Sequence, residues 1–148
     1  MRILISACLL GACCRYDGKS KACAAALRLA GTHELVPVCP EQLGGLPTPR
    51  PPAEIRDGRV VNAEGRDVTA AFQKGAEETL RLCRALSCQC AVLKANSPSC
   101  GRDQVYDGAF AGVLTPGSGV TAALLMQSGV RVLTEQDLNR FGLSEEAE

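Results

Sequence analysis

The chain has no tryptophan, and aromatic residues make up only 3% of its 148 positions. Its core therefore has to be built from Leu, Val, Ala and Cys rather than from rings. There is one histidine, His33, just past Gly31. No Ser–His–Asp arrangement can be assembled around so isolated an imidazole. Charge of either sign is not in excess, since 16 Lys and Arg balance 16 Asp and Glu. Binding an extended phosphate backbone needs a basic surplus, so that role has no support, while a nucleobase or nucleotide ligand stays open. Long hydrophobic runs are missing as well. The stretch from Ile3 to Cys8 is far shorter than the roughly 20 residues that span a bilayer. No cleavable leader pattern follows it. The default expectation is a cytoplasmic protein with no membrane partner.

Cysteine is what the chain has in plenty, with nine residues. Secreted disulfide scaffolds are shorter and loop-rich, and an odd count leaves a thiol over. In a reducing compartment, clustered thiols point to metal binding or redox work. The length suits one domain, residues 1–148, with residues 139–148 expected as a frayed tail.

Strand-like and helix-like segments alternate along the chain. Arg2–Ala7, Leu35–Val38, Ala91–Lys94 and Val130–Leu133 read as short buried strands. Between them, Lys21–Ala30 reads as a helix capped by Ser20. Val68, Phe72, Ala76, Leu80 and Cys83 recur at helical spacing behind Asp67, a good N-cap. Gly119–Ser128 is another helix, and Thr134 caps a last one. Residues 40–55, with five prolines, read as an ordered loop, and Arg59–Asn62 as a small local β piece. This alternation predicts an α/β fold: one mostly parallel, Rossmann-like sheet with helices on both faces. Ligands of such sheets bind outside the carboxyl ends of the strands.

Cys8, Cys39 and Cys100 all fall at that edge, just past strand exits and separated by 31 and 61 residues. The spacing is unlike the C-x-x-C pairs of a zinc ribbon, so three loops would supply the three thiols. Two readings stay open here: a metal or cluster site with a coordination position to spare, or three small buried core residues. Glu41, two residues past Cys39, is within reach of the same pocket and suits acid or base work; otherwise it is a surface residue opening a loop. Ser97 and Ser99 flank Pro98 and Cys100, either to position a ligand or simply to cap a turn. Tyr16 and Tyr106 lead two YDG triplets that read best as anchored turns. Gly117–Gly119 opens a helix with weak anion-binding character, because both the Walker pattern and GxGxxG are absent. Cys23 and Cys83 fall on apolar helix positions, Cys88 and Cys90 precede a strand, and Cys13 and Cys14 sit in the first loop.

Taken in order, SACLLG, RYDG, PVCPEQLGGLPTPRPPAEI, DVTAAFQKGAE, LKANSPSCG and YDGAFAGVLTPGSGVTAALL make the chain resemble the thiouracil desulfurase-like family from about Arg2 to Leu138. That resemblance implies a [4Fe–4S] cluster held by Cys8, Cys39 and Cys100, with one iron free of protein ligands. It implies non-redox, hydrolytic removal of sulfur from a thiolated pyrimidine base or nucleotide, with Glu41 as the acid/base carboxylate and Ser97 orienting substrate or water. The alternatives are a non-catalytic iron–sulfur or zinc-binding module and a zinc hydrolase using the same thiols.

Overall fold

The computed structural model describes residues 1–140. Four strands form the central sheet: β1 (Arg2–Ser6), β2 (Glu34–Val38), β5 (Cys90–Leu93) and β8 (Arg131–Thr134). All neighbours pair parallel, in the order β2-β1-β5-β8. β1 and β5 are central, and they are the strands whose side chains are almost wholly buried. Buried on both faces, a parallel strand reads as a continuous apolar run rather than an alternation.

Each strand still alternates between two cores. Ile3, Ile5 and Val92 face α1 (Ala24–Leu29) and α5 (Glu135–Arg140), packing with Ala26 and Leu138. Leu4, Ala91 and Leu93 face α3 (Thr69–Ala85) and α4 (Val120–Gln127), packing with Leu80, Ala122 and Leu125. Each fully buried Leu or Ile contributes roughly 1.5–3 kcal/mol relative to exposure. The helices therefore cover both faces, as the alternation predicts.

Several elements differ from expectation. α1 starts at Ala24 rather than Lys21. The proline-rich stretch is not all loop. Pro40–Leu43 forms a short helix, α2, because proline is compatible with a first helical turn. Ala53–Arg56 forms β3, which pairs antiparallel with β4 (Arg59–Asn62). Beyond Cys100 lies a second hairpin that no strand expectation covers, β6 (Gln104–Tyr106) paired antiparallel with β7 (Leu114–Pro116). α3 begins at Thr69 with Val68 as its N-cap, one residue later than expected, and Asp67 just before it accepts the Thr69 N–H on Oδ1 at 2.9 Å. At α5, Asp137 Oδ2 accepts the Thr134 N–H at 2.8 Å. Residues 139 and 140 of the expected tail are the end of α5, whereas residues 141–148 lie outside the described residues.

α2 is held against α3 by backbone contact. A Cβ at Gly75 would land on the Pro40 carbonyl oxygen, and one at Gly44 on that of Ala71. Neither partner is a side-chain tip that can swing aside, so the helices approach only through glycine. Gly75→Ala is expected to destabilise the protein by about 1–3 kcal/mol in chemical denaturation, the usual range for overpacking. A change within about 0.5 kcal/mol, the usual range for a neutral surface site, would show that α2 moves freely from α3.

Candidate active site

A cavity of about 780 Å³ lies at the carboxyl edge of the sheet. Its walls include Cys8, Cys39, Cys100, Glu41 and Ser97, and also Cys14, Arg50 and Lys94. The fold thus brings all five sequence-predicted site residues to one place. Cys8 follows β1 in a single 3₁₀ turn, Ala7–Leu10. Cys39 stands between β2 and α2, so Glu41 lies in the first turn of α2. Cys100 follows β5 in the 97–101 turn. Parallel pairing of β1 with both β2 and β5 makes these exits neighbours.

The turn carrying Cys100 is fixed from two sides. Ser97 Oγ accepts the N–H groups of Ser99 at 3.1 Å and of Cys100 at 2.8 Å. Its two acceptor positions are then filled, which leaves its own proton as the valence free to donate. Ser97 is therefore a turn cap and also a hydroxyl donor on the cavity wall. Behind the turn, the first N–H groups of α4 are taken up by its carbonyls. Val120 donates to Pro98, Thr121 to Ser99 and Gly119 to Gly101, at 2.7–2.9 Å. The glycine-led start of α4 is therefore a clamp on the Cys100 turn, and those donors are not free for an anion. Ser99 Oγ is 2.9 Å from Thr121 Oγ1, a further tie between the two.

Burial is the main influence on the thiols. It pushes Cys100 up to about 12, with the Glu41 charge adding to it and hydrogen bonds from Ser6 and Ser99 opposing. Burial likewise pushes Cys8 up to about 11; the Lys94 ammonium opposes this, and Cys39 adds to the rise. Cys14 is pushed up to about 12 by burial and by its neighbours Cys39 and Cys8. Ser6 Oγ donates to Cys100 Sγ at 3.6 Å and accepts the Lys94 N–H at 2.9 Å. Lys94 Nζ is paired with Glu135 at 3.0 Å. Metal binding at these thiols must therefore release protons, and these nearby donors lower the cost of the resulting charge.

Sequence reasoning did not single out Arg50 or Lys94 and left Cys14 without a role. Arg50 bonds Glu41 Oε2 at 2.8 Å, and the only sequence signal was its place inside PTPRPP. Cys14 is buried on the cavity wall, and the Cys39 thiol donates to its carbonyl at 3.7 Å. Of the remaining cysteines, Cys83 and Cys88 lie together on the α3/α4 side of the sheet, the Cys83 thiol donating to the Cys88 carbonyl at 3.9 Å, whereas Cys90 packs on the α1/α5 side and Cys13 is exposed. Both tyrosines of the YDG triplets line the cavity, with the Arg15 guanidinium 5.7 Å from the Tyr16 ring centre.

Among the described residues, no three His, Cys, Asp or Glu side chains converge tightly enough to share a single metal ion. The donor chemistry of Cys8, Cys39 and Cys100, thiols from three separate loops, is that of an iron–sulfur holder, since an all-cysteine set is the usual ligand of such a cluster.

The 2-thiouracil desulfurase family model matches residues 3–137. The chain belongs to the 2-thiouracil desulfurase family. Uncharacterized protein YbbK of Bacillus subtilis (strain 168) is 44% identical over 147 residues, covering 93% of this chain and 97% of that protein. A solved structure of TudS, described as a [4Fe-4S]-dependent thiouracil desulfidase, superposes with a TM-score of 0.87 at 46% identity, covering 99% of both chains. Membership of a desulfurase family favours an enzyme over the non-catalytic binding module. No helix among the described residues is long and apolar enough to cross a membrane.

The shifted thiols give a pH prediction. A thiol is neutral when protonated, so folded values above the ordinary 9.0 mean that the fold favours the protonated form. That contribution to stability is complete below about pH 9 and is lost as the pH climbs toward 12. The metal-free protein should accordingly unfold at lower denaturant at about pH 11 than at about pH 8. In iodoacetamide labelling followed by peptide mass spectrometry, exposed Cys13 should react well before buried Cys8, Cys14 and Cys100. Equal labelling rates, or a midpoint that does not move, would contradict the burial described here.

Proposed function

We propose that this protein is a [4Fe–4S]-dependent desulfidase that removes the sulfur of a thiolated pyrimidine base or nucleotide, such as thiouracil, and releases sulfide. The observation that carries this reading is the shared cavity. Cys8, Cys39 and Cys100 line one wall system with Glu41 and Ser97, in a chain 46% identical to a [4Fe-4S]-dependent thiouracil desulfidase over its whole length.

Cys8, Cys39 and Cys100 would hold the cluster, leaving one iron without a protein ligand. When bound, the cluster supplies a Lewis-acidic iron for the sulfur of a thiocarbonyl, which makes the ring carbon electrophilic. The chain's own residues do the rest. Glu41 takes a proton from the water that adds to that carbon. The free O–H of Ser97 donates to the charge that develops as water adds. The oxygen left on the ring comes from water and the sulfur leaves as sulfide, so no electrons are gained or lost. The Ser6 hydroxyl donates to the Cys100 sulfur, and the Lys94 ammonium lies near Cys8, so both steady the ligand charge throughout. Tyr16, Tyr106 and Phe110 also line the cavity and offer rings on which a planar base can stack.

After anaerobic iron–sulfur reconstitution, the protein should be brown and release sulfide from thiouracil. Cys100→Ala should lose its iron, whereas Cys83→Ala should keep it, as measured by iron and sulfide analysis. Glu41→Gln should retain iron and lose about 10²–10⁴-fold in turnover, the range for a positioned proton-transfer group. Equal iron loss in Cys83→Ala and Cys100→Ala would refute the ligand choice. A loaded protein that frees no sulfide from any thiolated base or nucleotide would refute the activity.

A further inference from the structure

Glu41 sits on a helix of four residues, Pro40–Leu43. One turn of helix does not fix a side chain with three rotatable bonds, so something else must. Arg50 is that group. Its Nη2 donates to Glu41 Oε2 at 2.8 Å and to the Cys14 carbonyl at 3.0 Å. Its Nη1 donates to the Pro47 carbonyl at 3.2 Å and to Thr48 Oγ1 at 3.0 Å. The guanidinium therefore meets four acceptors on three segments: the first loop, α2 and the proline-rich loop. Its side chain is only 6% exposed. Thr48 is itself held, because Gln42 Nε2 donates to its hydroxyl at 2.8 Å. A planar fork gripped from both sides cannot rotate, and neither can the carboxylate oxygen it holds. Among the described residues, Glu41 Oε1 accepts no hydrogen bond, so one oxygen is fixed and the other is free.

We propose that Arg50 is the positioning residue of the proton-transfer carboxylate, holding Oε2 of Glu41 so that Oε1 meets the attacking water. The inference rests on the reading of Glu41 as the base. Arg50 itself does not touch the reacting atoms. Its removal lets the carboxylate swing, which lowers turnover while leaving substrate affinity and cluster retention largely intact. A lysine brings a single point donor to this place and cannot span Glu41 and the Cys14 carbonyl in the same fixed plane.

The test is a double-mutant cycle on the reconstituted enzyme: Arg50→Met, Arg50→Lys, Glu41→Gln and the Arg50→Met/Glu41→Gln pair. Thiouracil turnover, KM, iron per chain and unfolding midpoint are measured for each. Arg50→Met should lower kcat by about 10–100-fold with KM changed less than about twofold, the pattern of an interaction used only in the transition state. Arg50→Lys should recover only part of that loss. Iron content should match the parent in both. In the Glu41→Gln background, Arg50→Met should cost less than about twofold more, because two residues acting through one group are not additive. Losses that multiply across the two backgrounds would overturn the proposal. So would loss of iron in both Arg50→Met and Arg50→Lys, which would make Arg50 a structural clasp only. If Glu41→Gln falls and Arg50→Met keeps full kcat, the positioning role alone is wrong. Full turnover by Glu41→Gln would remove the base reading, and the positioning role with it.

Discussion

Thiolate charge is expensive where this fold puts it. Cys8, Cys14 and Cys100 are each no more than 8% exposed and line one cavity. Burial alone pushes their ionisation upward, and each new negative charge makes the next harder. A site of this kind works only if compensating donors are built in, and they are. The Lys94 backbone N–H holds the Ser6 hydroxyl, whose proton points at the Cys100 sulfur. The Lys94 ammonium acts on Cys8 and is kept in place by Glu135. Ser6 ends β1 and Lys94 directly follows β5, so the pairing that brings the cysteines together also brings these donors.

That arrangement explains why three thiols 31 and 61 residues apart become neighbours. Strands running in one direction place every exit at the same edge. The loops then only have to aim the side chains. At Cys100 the start of α4 does so, its N–H groups taken up by the carbonyls of the turn. At Cys39 the short helix α2 does so, braced on α3.

The sheet and its helices were legible because their signals are periodic: apolar β-branched runs at β1, β5 and β8, and the Val68–Cys83 stripe on α3. Of the two hairpins, the strand Arg59–Asn62 was legible and is β4, whereas its partner β3 and the whole β6/β7 pair were hidden. β6 and β7 have three residues each, too few for alternation to stand out. α2 was hidden by the prolines around it, although proline at its first turn is permitted. At the site, Cys8, Cys39, Cys100, Glu41 and Ser97 could be named because they stand at strand exits or within distinctive motifs. Arg50 and Lys94 could not be singled out, because their roles depend on partners far along the chain. Lys94 meets Glu135 and Arg50 meets Cys14, contacts that no local pattern announces.

The glycine contact between α2 and α3 has a consequence for how the cavity can change. Two backbones touch there, with no side chain between them to be exchanged for a larger or smaller one. The wall bearing Glu41 is thus geometrically locked, whatever residues surround it. Arg15, Tyr16, Tyr106 and Phe110, which also line the cavity, are by contrast side chains on turns and a small hairpin. Reshaping this cavity for bulkier or smaller ligands is therefore a matter of exchanging those side chains, since the wall that bears Glu41 cannot shift without parting two helices.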